Sequence, residues 1–131
     1  MNIKKVELPQ YEDRRGLLAV AEKFGFPAER AFWIYGARPG DSRGNHAHYH
    51  CSQLLVAVQG GVTLEVFDGW MLETNALSSP INAVIVPPLH WITLKNFSRS
   101  AIVLVLCSHE YDKSDVIADL QKFQDLARGQ T

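Results

Sequence analysis

The chain has 131 residues, 47% of them hydrophobic and 21% charged, with a formal net charge of −1. This length and balance describe one globular domain and exclude a broad basic surface for nucleic acid. Two cysteines, Cys51 and Cys107, are too few for a disulfide scaffold and read as buried thiols in apolar runs.

Taken in order, the N-terminal Met1-Asn2-Ile3-Lys4-Lys5 has no apolar run behind its lysines. No apolar stretch approaches the roughly 20 residues of a membrane span, so a cytoplasmic protein without membrane contact is expected. Short apolar runs then alternate with turn residues. Leu17–Ala21 follows Arg15-Gly16, Ala31–Tyr35 ends at Gly36, and Gln53–Val58 meets Gln59-Gly60-Gly61. Val62–Val66 alternates cleanly and stops at Asp68-Gly69, a strong hairpin signal. Ala83–Val86, Trp91–Leu94 and Ala101–Leu106 complete the series. Strands of this length and spacing predict an all-β sandwich or barrel. The tail changes period. Val116, Leu120, Phe123 and Ala127 recur at helical spacing, with Ser114 as a plausible N-cap and Asp115 in the first turn. The expectation is a single domain over 1–131, with a barrel over about 1–110 and one helix over about 114–128.

The segment Arg43-Gly44-Asn45-His46-Ala47-His48-Tyr49-His50-Cys51-Ser52-Gln53 carries the chemistry. In a strand, His46, His48 and His50 share one face, while Ala47 and Cys51 take the other. The spacing from Gly40 through His46-x-His48 and Gln53 to Gly60 resembles the first motif of cupin barrels, with Gln in place of its Glu. The second motif survives as Pro87-Pro88-Leu89, Ile92 and Asn96, with its Gly and its His replaced. Two of the four metal-ligand positions are therefore lost, and divalent transition metals need three or four protein donors. No metal is expected. Free imidazoles can take and return protons near neutral pH, which suits chemistry beside a carbonyl. The residues alone leave open a second reading, in which the pair is merely hydrogen-bonded in a wet barrel mouth.

Further landmarks extend the pattern along nearly the whole chain. They are Asp13-Arg14-Arg15-Gly16-Leu17-Leu18, Arg30 before the aromatic strand, Trp91, Asn96-Phe97-Ser98, and Tyr111-Asp112 with Asp115-Val116-Ile117. With these residues the chain resembles the sugar 3,4-ketoisomerases that act on dTDP-4-keto-6-deoxyglucose, a branch of the cupins related to the deoxysugar 3,5-epimerases. The resemblance implies a cupin-type jelly-roll β-barrel with one C-terminal α-helix. It also implies no metal or other cofactor, and a homodimer that often exchanges an N-terminal strand. The implied reaction moves the keto group of a dTDP-4-keto-6-deoxy sugar from C4 to C3, ahead of an aminotransferase. It makes His48 the base at C3 and His46 the carrier of protons between the two oxygens, and the sequence leaves the order of the two open. Arg15 and Arg43 match arginines near the sugar and diphosphate, and Tyr35, Gln53, Trp91 and Ile92 are further substrate-contacting positions. Ile92 and Phe32-Trp33 depart from the family, which often has His or Arg after the barrel Trp and tyrosines in the strand after Arg30. Epimerisation at C3 or C5 of a nucleotide-linked keto sugar, or binding without catalysis, are the alternatives these departures keep in view.

Overall fold

The computed structural model of the chain describes residues 1–129. The last two positions of the expected single domain, 130–131, lie outside the described residues. Twelve strands form among the described residues: β1 (Lys4–Glu7), β2 (Gln10–Asp13), β3 (Gly16–Ala19), β4 (Arg30–Ile34), β5 (Arg43–His48), β6 (Gln53–Gln59), β7 (Val62–Phe67), β8 (Leu72–Leu77), β9 (Asn82–Val86), β10 (Trp91–Lys95), β11 (Ile102–Cys107) and β12 (Val116–Ile117). One sheet has the order β1-β9-β6-β11-β4, the other β12-β5-β10-β7-β8, and β2 pairs only with β3. The pairings are antiparallel. This is the expected jelly roll.

Burial explains the sequence patterns. β7 and β10 alternate between buried and half-buried residues because one face meets the core. β6 reads as a continuous apolar run because both of its faces are covered. Leu55 and Ala57 point between the sheets, whereas Leu54 and Val56 lie under Leu8, Phe24 and Phe26. At the turn out of β6, Gly60 has φ of +66°, and a Cβ there would run into Ser98 Oγ and the Ala101 backbone. The Asp68-Gly69 hairpin forms as expected, with Asp68 Oδ1 accepting from the backbone N–H groups of Trp70 and Met71 at 2.8 and 2.7 Å.

The helix is shorter than its apolar period suggests. Helix α1 spans Leu120–Ala127, and Asp119 caps it by accepting from Lys122 N at 3.0 Å. Ser114 is not its N-cap. Residues Lys113–Asp115 form a 3-10 turn capped by Asp112, and Val116 belongs to β12, paired with His48. Two short polar-led starts lie five residues apart, and pairing with β5 claims the first of them. Phe123 is fully buried and packs against Phe67 and Trp91, with ring centroids 6.0 and 5.8 Å away.

Candidate active site

A cavity of about 650 Å³ lies between the sheets, bounded by β4, β5, β6, β10, β11 and residues 111–118. The backbone of β5 sets its chemistry. Gly44 (φ +84°) and Asn45 (φ +57°) are both left-handed, and the register to β10 slips there, with His46 opposite Ile92 but Gly44 opposite Thr93. A Cβ on Gly44 would sit 3.1 Å from the Ile92 carbonyl oxygen. Asn45 tolerates its φ with its side chain bonded to Ser42 Oγ and Thr93 Oγ1. Beyond this bulge His46 and His48 face the cavity, and Ala47 is buried on the opposite side. The two imidazoles meet edge to face, with centroids 4.9 Å apart at 85°.

His48 is oriented by Asp115. Its Nδ1 lies 3.1 Å from Asp115 Oδ2. The same carboxylate accepts from the backbone N–H groups of His50 (2.8 Å) and Cys51 (3.2 Å), so it is fixed independently of the ring. A carboxylate at Nδ1 selects the tautomer that carries the proton there and leaves a lone pair on Nε2. Nε2 is buried and has no hydrogen-bond partner among the described residues. Burial depresses the His48 pKa, and the neighbouring His46 and Arg30 push the same way. Asp115 opposes them without cancelling the effect. At neutral pH His48 is thus a neutral imidazole held in one orientation.

The structure brings Arg43, Tyr35, Gln53 and Ile92 to the same cavity as the histidines. Gln53 is buried and donates from Nε2 toward the Cys107 thiol at 3.6 Å; burial pushes that thiol's pKa up, which keeps it protonated. Two expected positions fall elsewhere. Trp91 is on the outer face of β10, against Phe123, because strand parity sends it opposite to Ile92. Arg15 is exposed on the β2–β3 hairpin, in a bidentate pair with Asp13, and does not line this chain's cavity. His50 lies past the end of β5 and is exposed, so it does not continue the histidine row. Cys51 is likewise freed from strand parity and joins the core between the sheets. His90 is tied down by Pro88 O at 3.0 Å and by Asn2 N at 3.4 Å.

Three residues of the site had no assigned role in the sequence. Asp115 reads as a first-turn helix residue, and its contact with His48 spans 67 positions. Tyr111 and Arg30 line the cavity, with the guanidinium 5.3 Å from the phenol ring centroid. An arginine leading an aromatic strand was the available signal for the latter.

The cupin framework implies a metal, and the donors do not fit one. Among the described residues no group of three His, Cys, Asp or Glu side chains converges. Gln53 and Ile92 occupy the cavity positions where further ligands would stand, and Nδ1 of His48 is engaged by Asp115.

Fold and site together define a cupin-type jelly roll with a histidine pair in its cavity. The chain belongs to the family described as FdtA: WxcM-like, C-terminal, which it matches over residues 1–128. It is 29% identical over 126 residues to a TDP-4-oxo-6-deoxy-alpha-D-glucose-3,4-oxoisomerase of Aneurinibacillus thermoaerophilus, covering 95% of this chain and 88% of that one. Among solved structures it is similar to a 3,4-ketoisomerase from Helicobacter canadensis, with a TM-score of 0.94, 28% identity and 98% of both chains covered. It is also similar to the TDP-quinovose 3,4-ketoisomerase of Campylobacter jejuni, with a TM-score of 0.89, 31% identity, and 94% of this chain and 97% of that one covered.

Proposed function

We propose that the chain is a sugar 3,4-ketoisomerase that converts a dTDP-4-keto-6-deoxyhexose into its 3-keto isomer. The observation that carries this reading is His48, whose ring lines a cavity that shares the family's landmarks and whose buried Nε2 has no hydrogen-bond partner among the described residues. Nε2 takes the proton from C3, which is acidified by the C4 carbonyl. The C3–H electron pair becomes a C3=C4 double bond, and O4 gains a proton to give the enediol. O3 then loses its proton as C4 gains one, which leaves the keto group at C3 with no atom added or lost. His46, next to His48, moves protons between the two oxygens. The apolar Ile92 and Phe32 supply no proton, which leaves that work to the histidines and Tyr111. Arg43 and Tyr35 at the cavity rim contact the nucleotide-bearing half of the substrate, and Gln53 contacts the sugar. This chemistry needs no cofactor, and a charged, soluble nucleotide sugar is consistent with action in the cytoplasm. No helix among the described residues is long and apolar enough to cross a membrane.

The working form in this reading is a homodimer. Every residue of the β2–β3 hairpin is exposed, and its Tyr11, Leu17 and Leu18, like Trp33 on edge strand β4, are at least 59% exposed. Apolar surface of that kind supports a protein partner. A second copy's hairpin, laid along the β4 edge, gives Arg15 its route to a substrate. Sedimentation velocity should report a dimer, and Arg15→Ala should raise KM without lowering the melting temperature.

Incubation with dTDP-4-keto-6-deoxyglucose in deuterium oxide, followed by NMR, tests the activity. Loss of the C3 proton, a C3 carbonyl and deuterium at C4 are expected. An inverted C3 or C5 centre with the carbonyl still at C4 would make the protein an epimerase. Binding of dTDP without any exchange would make it a binding module.

A further inference from the structure

Arg30 occupies an unusual place. It opens β4, opposite Cys107 of β11, which in turn opposes Gln53 of β6. Directly paired residues of antiparallel strands share a face, so Arg30, Cys107 and Gln53 form one row across the first sheet, and Arg30 and Gln53 line the cavity that the histidines enter from the second. The next row inward is Phe32, Val105 and Leu55, which has no donor at all. Arg30 is half-buried, whereas Arg43 at the rim is exposed. Its guanidinium enters no ion pair among the described residues. It is held by aromatic faces instead, 4.6 Å from the Phe32 ring centroid and 5.3 Å from that of Tyr111. Cation–π contacts of this kind engage the charge of the guanidinium and use none of its N–H groups as hydrogen-bond donors to an acceptor oxygen, which leaves them for another acceptor.

The chemistry calls for such a donor. Removing a proton beside a carbonyl drives the electron pair of the carbonyl π bond onto oxygen. His48 leaves the step as a cation whose charge is already balanced by Asp115. Leu55, Ile92 and Val105 offer the oxygen nothing, and of the polar groups that line the cavity only Arg30 and Arg43 at the rim carry a permanent positive charge. An arginine stays charged throughout and does not compete for the proton in transit. We infer that Arg30 is a catalytic residue, whose guanidinium hydrogen-bonds the sugar oxygen that becomes negative as His48 removes the C3 proton. The C3–H pair forms the C3=C4 bond, the C4=O4 π pair moves to O4, and Arg30 stabilises that charge without giving up a proton.

This inference rests on the ketoisomerase reading, so the wild type is assayed beside Arg30→Met and Arg30→Lys. Arg30→Met keeps the bulk and removes the charge. It should lower kcat about 100- to 1,000-fold, the usual effect of losing one oxyanion donor, with C3 proton exchange slowed in parallel and dTDP affinity unchanged. Arg30→Lys should recover part of kcat. The groups that set the His48 pKa are His46 on its own strand, Asp115 ahead of β12 and Arg30 on β4. The acid limb of kcat/KM should therefore move to higher pH in Arg30→Met and stay in place in Arg30→Lys, which checks that the charge of Arg30 stands near His48. A folded Arg30→Met with kcat within threefold of wild type overturns the inference, as does a loss confined to dTDP affinity, which would make Arg30 a diphosphate ligand. If Arg30→Met does not fold, Arg30→Lys decides. A kcat lowered tenfold or more at an unchanged melting temperature upholds the inference, and an unchanged kcat sinks it. A wild type that exchanges no proton removes the ketoisomerase reading itself, a result separate from either variant's.

Discussion

The two faces of β5 are organised in opposite ways. On the outer face Ala47 is 1% exposed and sits under Ile117 and Phe123, in a small closed core between the sheet and α1. On the inner face His46 and His48 meet an open cavity, and His48 is held through one side-chain hydrogen bond, to Asp115, among the described residues. Tight packing on one side fixes the backbone, so the other side can present groups that packing leaves free. The Asp115 carboxylate links the two, since it orients His48 while bonding the turn that ends β5.

Removing the reactive group from the open face has the largest expected effect. His48→Asn should lower kcat about 1,000-fold, within the range for loss of a general base, and leave the melting temperature near that of wild type. The closed face should show the reverse pattern. Phe123→Ala empties a fully buried site and should cost about 3 kcal/mol or more in urea unfolding. A Phe123→Ala protein that kept its stability would mean that α1 does not brace β5.

Asp115→Ala acts on the link and should affect both faces. Two backbone N–H groups lose a charged acceptor, worth about 2 kcal/mol of stability in total. Because Asp115 raises the His48 pKa, its loss should also shift the acid limb of kcat/KM to lower pH. In the wild type, the depressed pKa of folded His48 means that the unfolded chain binds more protons just below 6.5. Stability from this group is full above pH 6.5 and falls away as the pH drops through the folded value, which unfolding curves between pH 7 and 5 would detect. The smallest expected change lies at Leu89, held left-handed at φ +58° where the cupin motif has glycine. Leu89→Gly should raise stability by less than about 1 kcal/mol, relieved strain outweighing the entropy that glycine adds to the unfolded chain.

Particular residues show how far the sequence could be read. The period-2 runs, the Asp68-Gly69 hairpin and the histidine pair follow from local rules, and they appear where those rules place them. Trp91 stands next to Ile92 in sequence but on the other side of the sheet, which is why it packs on Phe123 and not in the cavity. Arg15 does not line its own chain's cavity because the β2–β3 hairpin pairs with no other strand among the described residues and is exposed throughout, so local sequence gives no hint of where its side chains lead. Ser114 and Asp119 are equally good local caps for the helix, and only the pairing of Val116 with His48 chooses between them.

The sequence by itself determined the barrel, the inward histidines and the loss of a metal-binding set, since all three depend on residue type and short-range spacing. Only the tertiary structure decided that Asp115 orients His48, that Arg30 lines the same cavity without an ion pair among the described residues and that Trp91 packs against the helix. Those depend on contacts between residues far apart in the chain, and no local period encodes a distance between two sheets.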